Sequence, residues 1–215
     1  MLERWKGIPM KTLYFIRHAQ SEANLQDILA SRQNFPLTEK GRQDAREIAA
    51  EFKTIASVDR IVSSPLLRAR QTAEPFAAAF GLSIETDDRL IEQDLGVFAG
   101  KTYAEAEKDP DYMSDRTKRW NWVPSGGGES YKMIADRLKP FFQSLETRSG
   151  ERILFVTHAV TMRLIRATLE QTLPDYPKEI AKNGEIWKVR YRQYGEVHSV
   201  ESIFPGRSED AVSRA

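Results

Sequence analysis

Two of the three histidines in this chain follow short apolar runs. Leu13-Tyr14-Phe15-Ile16 leads into Arg17 and His18, and Ile153-Leu154-Phe155-Val156-Thr157 leads into His158. Such runs are too short, and too rich in aromatic and β-branched residues, to favour helices; they fit strands buried on both faces. Arg17, His18 and His158 would then sit where strands leave a sheet, the edge at which open α/β sheets bind ligands. A third run, Val58 to Ser63, ends at Ser64, and Arg68 falls one turn into the helix that Ser64-Pro65 would open. Parallel strands put all three ends on one edge. Two guanidiniums and two imidazoles then converge, with Arg68 in a first helical turn where free N–H groups and the dipole favour an anion. That set suits a dianionic phosphoryl group, because arginine grips phosphate oxygens bidentately through charge-assisted hydrogen bonds. A neutral imidazole, with an ordinary pKa of about 6.5, is a competent nucleophile near neutrality. One ring nitrogen must be held as N–H, by a backbone carbonyl, so that the other can attack.

Blander readings compete at each position. A strand-end histidine on its own is more often structural, and it is the company of His158 and Arg68 that sets His18 apart. Metal ligation by the histidines lacks a pair at helical spacing and a nearby carboxylate set. Arg70 and Arg163 read as solvated or structural, with the rim of the site as the alternative, and His198 as an edge or surface residue. Lys101, Lys108, Arg116, Lys118 and Arg119 read first as a solvated face and second as contacts for another acidic group on a substrate. Gly126-Gly127-Gly128 is either a phosphate-cradling nest or a plain helix-entry loop. Glu92 and Asp94 compete for the role of proton donor, and spacing prefers neither.

The elements that must position these groups alternate. Thr38 is an N-cap for a helix with Ala45, Ile48, Ala49 and Phe52 on its apolar face. The helix after Ser64-Pro65 runs to Gly81, a C-cap. A strand follows near Leu82–Thr86, then a charged and aromatic stretch with Tyr103, Tyr112, Trp120 and Trp122. The aromatics there either cap a pocket or pack the stretch itself. A helix from about Ser130 to Leu145, the strand before His158, a helix through Met162 and Leu169, and strands near Glu185–Tyr191 and Glu196–Ser202 complete the pattern. The expectation is an α/β fold: a three-layer α/β/α architecture with a mainly parallel central sheet and a small helical insertion at about 101–124. A single domain would cover 1–215, with its core at about 11–204 and a frayed tail at about 205–215.

Composition bounds the partners. The 215 residues are 40% hydrophobic and 29% charged, as in an ordinary globule. A formal net charge of +1 gives no global field to attract nucleic acid or anionic lipid, so an anion site must be local. There is no cysteine for thiol chemistry, disulfides or metal binding. The opening residues lack a signal-peptide core, no run is long enough to span a membrane, and Met10 is a second possible start. A cytoplasmic location and a small phosphorylated substrate are expected, with no nucleic acid, no membrane, no metal and no cofactor. Oligomeric state is not legible.

Taken together, the blocks resemble a known family. Arg17-His18-Ala19-Gln20-Ser21-Glu22-Ala23-Asn24, Pro36-Leu37-Thr38-Glu39-Lys40-Gly41, Ser63-Ser64-Pro65-Leu66-Leu67-Arg68-Ala69-Arg70-Gln71-Thr72-Ala73, Leu90-Ile91-Glu92 with Gly96 and Gly100, Gly127-Gly128-Glu129-Ser130 and Val156-Thr157-His158-Ala159 are similar, in order, to the signatures of the histidine phosphatase superfamily, the phosphoglycerate mutase-like proteins. The resemblance spans about Lys11 to Arg166. It implies that His18 is the nucleophile and forms a phosphohistidine. Arg17, Arg68, His158 and Asn24 would hold the phosphoryl oxygens, and Glu92, rather than Asp94, would be the proton donor. Glu92 would need a raised pKa or a proton brought by the substrate. The family usually has glycine after each histidine, where this chain has Ala19 and Ala159; the change costs something only if a positive φ is used there. Within the family, the stretch after Gly100 is short and lacks the arginine- and proline-rich segment associated with cofactor-dependent mutases, which favours a phosphomonoester hydrolase over a mutase. A catalytically idle phospho-ligand sensor is the alternative of another class, and the intact His18, Arg68, Glu92 and His158 set speaks against it.

Overall fold

The computed structural model describes residues 10–145 and 150–208. Its centre is a six-stranded sheet in the order β3-β2-β4-β1-β5-β6, where β1 is Lys11–Arg17, β2 Arg60–Ser63, β3 Ile84–Thr86, β4 Arg152–Thr157, β5 Asn183–Tyr191 and β6 Val200–Ser208. The first four in that order are mutually parallel, and β5 and β6 run antiparallel to their neighbours. The helices are α1 (Glu22–Leu25), α2 (Glu39–Ile55), α3 (Leu67–Phe80), α4 (Tyr103–Ala106), α5 (Tyr131–Ser144) and α6 (Ala159–Glu170).

The alternation along β1 explains why the sheet is covered on both sides. Leu13 and Phe15 point into one core with Ile134, Leu138 and Phe141 of α5 and Met162 and Ile165 of α6. Tyr14 and Ile16 point into the other, with Ile48 and Phe52 of α2 and Ala73 and Phe76 of α3. Successive strand side chains face opposite ways, so an unbroken apolar run requires two apolar layers. At roughly 1.5–3 kcal/mol per buried large side chain, β1 alone anchors both layers. The three-layer α/β/α expectation holds. No helix of the described residues is long and apolar enough to cross a membrane.

Two boundaries move. The helix expected to open at Ser64-Pro65 begins at Leu67, with Leu66 in the N-cap position and no side-chain cap. Ser64 lies two residues before that cap and accepts from the Leu66 N–H at 3.4 Å. The last strand runs from Val200 to Ser208, so Pro205 to Ser208 are paired sheet residues and not the start of a frayed tail. Residues 209–215 and Met1 lie outside the described residues. In the insertion, α4 and a 3₁₀ turn at Arg116–Lys118 are short; order comes instead from a small aromatic core of Leu29, Leu95, Phe98 and Tyr112, with Tyr103 and Trp122 against it.

Candidate active site

The ends of β1, β2 and β4 do meet. His18 and His158 face each other with ring centroids 5.2 Å apart, and Arg17, His18, Asn24, Arg68 and Glu92 line one cleft at this edge of the sheet. Each cation is tied to main chain. Arg17 donates through Nη1 to the Ala181 carbonyl at 2.8 Å. Arg68, in the first turn of α3, donates to the Gln33 carbonyl at 2.8 Å and the Ser31 carbonyl at 2.7 Å. Burial pulls the Arg68 pKa down to about 10, opposed by Glu92 and reinforced by Arg17, so it remains a cation at neutral pH. Ser31 has φ of +47°, uncommon for a residue with a side chain. In that conformation its carbonyl holds Arg68, while its hydroxyl donates to the Gln93 carbonyl and accepts from the Leu95 N–H.

The histidines are held differently. His18 Nδ1 lies 2.8 Å from the Ala19 carbonyl. His158 is fully buried, with Nε2 2.7 Å from the Ser64 hydroxyl, and its Nδ1 has no partner among the described residues. Burial first, then the charges of Arg68 and His18, hold the His158 pKa well below its ordinary value, so the ring is neutral. The same Ser64 hydroxyl accepts from the Leu66 N–H at 3.4 Å, so it serves the turn into α3 and His158 together.

Glu92 sits across the N-terminus of α6. Its carboxylate accepts from the backbone N–H groups of Gln93 at 2.9 Å and of Val160 and Thr161 at 3.2 Å each. Asp94 turns to Arg32 at 3.4 Å and to the Gly96 N–H at 2.9 Å, and does not line the cleft. Geometry therefore separates two acids that spacing could not. Asn24 accepts on its amide oxygen from the Ser21 N–H at 3.0 Å and hydroxyl at 2.9 Å, so any bond it gives a phosphoryl oxygen comes from its NH₂.

Neither Ala19 nor Ala159 has a positive φ, and the non-glycine residues that do are Asp27, Ser31 and Gln171 among those described. Alanine after each histidine thus carries no backbone strain. The Ala19 N–H is spent on Thr72 at 3.0 Å, and the Thr72 hydroxyl returns to the Arg68 carbonyl at 2.7 Å. Three other basic side chains are buried. Arg163 takes the structural alternative: it is 1% exposed and donates to the Tyr131 hydroxyl at 3.1 Å. Arg119 leaves the solvated face, at 4% exposed. His198 is buried and stacks on Tyr191 at 4.9 Å. The three glycines at 126–128 do not line the cleft; they turn the chain over Gly96 and Val97 into α5.

Sequence reasoning missed Asn183. Its Nδ2 donates to the His18 carbonyl at 2.9 Å and reaches Asn24 Oδ1 at 3.3 Å. The signal was the antiparallel strand: β5 starts at the edge where β1 and β4 end, so its first residue reaches the site. It also missed the brace beneath Glu92, in which Arg137 pairs with Glu129 at 2.9 Å and donates to the Ile91 carbonyl at 2.7 Å. Among the described residues, no cluster of three or more histidine or acidic side chains is arranged to hold a metal ion.

Comparisons with known proteins show the family. The family model for the histidine phosphatase superfamily (branch 1) matches residues 13–201. A relative from Klebsiella pneumoniae (strain 342), "Probable phosphoglycerate mutase GpmB", is 30% identical over 195 residues, covering 86% of each chain. The solved structure of Bacillus stearothermophilus YhfR superposes with a TM-score of 0.76 at 28% identity, over 90% of this chain and 96% of that one. A mycobacterial glucosyl-3-phosphoglycerate phosphatase solved with VO₃ shares the fold, with a TM-score of 0.81 at 24% identity over 91% of this chain and 99% of that one. The family match over most of its length and the 30% identical relative show that the chain belongs to the histidine phosphatase superfamily.

Proposed function

We propose that the chain hydrolyses phosphomonoesters through a phosphohistidine on His18, without a metal ion. The observation that carries this reading is the contact from His18 Nδ1 to the Ala19 carbonyl. A carbonyl only accepts, so Nδ1 carries the proton and Nε2 keeps its lone pair for phosphorus. Nε2 bonds to phosphorus as the bond to the alcohol oxygen breaks. Arg17, Arg68 and the Asn24 NH₂ meet the equatorial oxygens, where transition-state charge collects. The Leu66 N–H donates to the Ser64 oxygen, which suits the Ser64 O–H to donate to His158 Nε2. His158 then offers Nδ1–H to the phosphoryl group. Glu92 hands a proton to the departing alkoxide. Three backbone N–H groups suit Glu92 as a carboxylate, so that proton enters with the monoanionic ester. In the second half, Glu92 takes a proton from water as water's oxygen bonds to phosphorus and the P–N bond breaks.

The name of the Klebsiella relative favours a second reading, in which the phosphoryl group passes to another hydroxyl instead of to water. Phosphate release from a panel of phosphomonoesters, with chelator present and His18→Ala as the control, separates the readings. Release that the variant loses supports the hydrolase. Interconversion of phosphoglycerates without release supports the mutase, and neither activity returns the question to a phospho-ligand sensor.

A further inference from the structure

Glu92 sits on a segment that is neither helix nor strand. From Ile91 to Leu95 no ladder of main-chain bonds fixes the backbone, so side chains must. The hydroxyl of Thr157 donates to the Leu90 carbonyl at 2.6 Å, that of Thr161 to the Ile91 carbonyl at 2.7 Å, and that of Ser31 to the Gln93 carbonyl at 2.9 Å. Two arginines add further clamps. Arg137 donates to the carbonyls of Arg89 and Ile91, and Arg32 donates through Nε to the Glu92 carbonyl at 3.3 Å.

Both arginines meet on one carboxylate. Glu129 accepts from Arg137 Nε at 2.9 Å and Nη2 at 3.2 Å, and from Arg32 Nη2 at 3.2 Å. Its main chain joins the same segment. The Glu129 N–H donates to the Asp94 carbonyl at 2.8 Å, and its carbonyl accepts from Gln93 Nε2 at 2.7 Å. The Glu129 and Arg137 side chains are largely buried, so the bonds between them are stronger than those of a surface pair. The plain alternative is an ion pair that merely stiffens α5. The two residues, however, lie eight positions apart in that one helix and its lead-in. The helix is already held by the Ser130 cap and by buried Tyr131, Ile134 and Leu138. What the pair adds is a grip on the segment that carries Glu92, because the remaining donors of Arg137 go to its carbonyls.

We propose that Glu129 and Arg137, with Arg32, are positioning residues for Glu92. Glu129 occupies both guanidiniums, and neither is left to draw the Glu92 carboxylate away from the Val160 and Thr161 N–H groups. The inference rests on the hydrolase reading above, in which Glu92 is the proton donor. The test compares Glu129→Gln, Arg137→Met and Arg137→Lys with wild type on an alkyl phosphate and on nitrophenyl phosphate. A misplaced donor predicts a fall in kcat of about tenfold or more on the alkyl ester, with KM little changed and nitrophenyl phosphate close to wild type. Arg137→Lys should recover part of the loss. In the same proteins the amide proton resonances of Val160 and Thr161, read by NMR, should move toward their positions in Glu92→Ala. A brace that served stability alone would only lower the melting temperature. Unmoved resonances, or equal slowing of both esters where Glu92→Gln separates them, overturn the proposal. If wild type turns over neither ester, or Glu92→Gln slows both alike, the catalytic reading fails and the amide resonances decide the brace by themselves.

Discussion

At the floor of the cleft, charge is tied to main chain. Arg17 reaches one carbonyl, Arg68 two, and His18 the carbonyl of the next residue. In the wall built by the insertion, Arg119 has one main-chain acceptor and otherwise rests between two aromatic faces. The floor's geometry therefore follows from strand register and loop path, which no single surface substitution changes. The wall's geometry follows from side-chain packing, which can change one residue at a time. On the proposed chemistry, a fixed floor would hold the phosphoryl group while a wall set by packing would meet the leaving group.

The contrast is broken most severely at the floor. Arg68→Ala or His158→Ala should lower kcat/KM roughly 10²-fold or more for every phosphomonoester, as for loss of one preorganised donor. An effect confined to particular leaving groups would assign these residues to the wall. Glu92→Gln tests the seam between the regions. General acid catalysis predicts a loss of about 10²-fold on alkyl phosphates and much less on nitrophenyl phosphate, whose leaving group needs no proton. Equal slowing of both would remove the acid role.

Buried neutral His158 gives a smaller, pH-dependent effect. Its folded pKa lies well below the ordinary value, with burial as the main cause, so below about pH 6.5 the unfolded chain binds a proton that the folded chain refuses. Stability should fall as pH drops through that value, by up to ~1.4 kcal/mol per pH unit for this group. His198, its pKa also lowered by burial, adds in the same direction. Melting temperatures between pH 7.5 and 5 should show a shallower slope for His158→Asn than for wild type. An unchanged slope would mean that His158 is not held neutral. The smallest effect is expected from restoring glycine. At Ala159 in the first turn of α6, glycine should cost about 0.5–1 kcal/mol of stability with no gain in turnover. A marked gain would mean that backbone freedom there matters.

The floor was legible because its residues sit at strand ends marked by local apolar runs, and parallel strands must share an edge. Glu92 was half legible: the motif named it, but only the three-dimensional path turns Asp94 toward Arg32. Asn183 was hidden because it opens an antiparallel strand, and strand direction is set by pairing rather than by local composition. Ser64 was read as a cap because Ser-Pro is a good local helix opener; its hydroxyl does accept from the Leu66 N–H, but its tertiary contact with His158 had no local signal. Arg119 was read first as solvated because charge usually is, and Arg163 as either solvated or structural; the burial of both depends on aromatic neighbours.

The most direct test of the central claim is rapid-quench trapping of the labelled enzyme during turnover of a ³²P-phosphomonoester. Acid-labile, base-stable label mapped to His18, formed and lost at the rate of turnover and absent from His18→Ala, is the expected result. Turnover without such label, or label on another residue, would contradict the phosphohistidine mechanism.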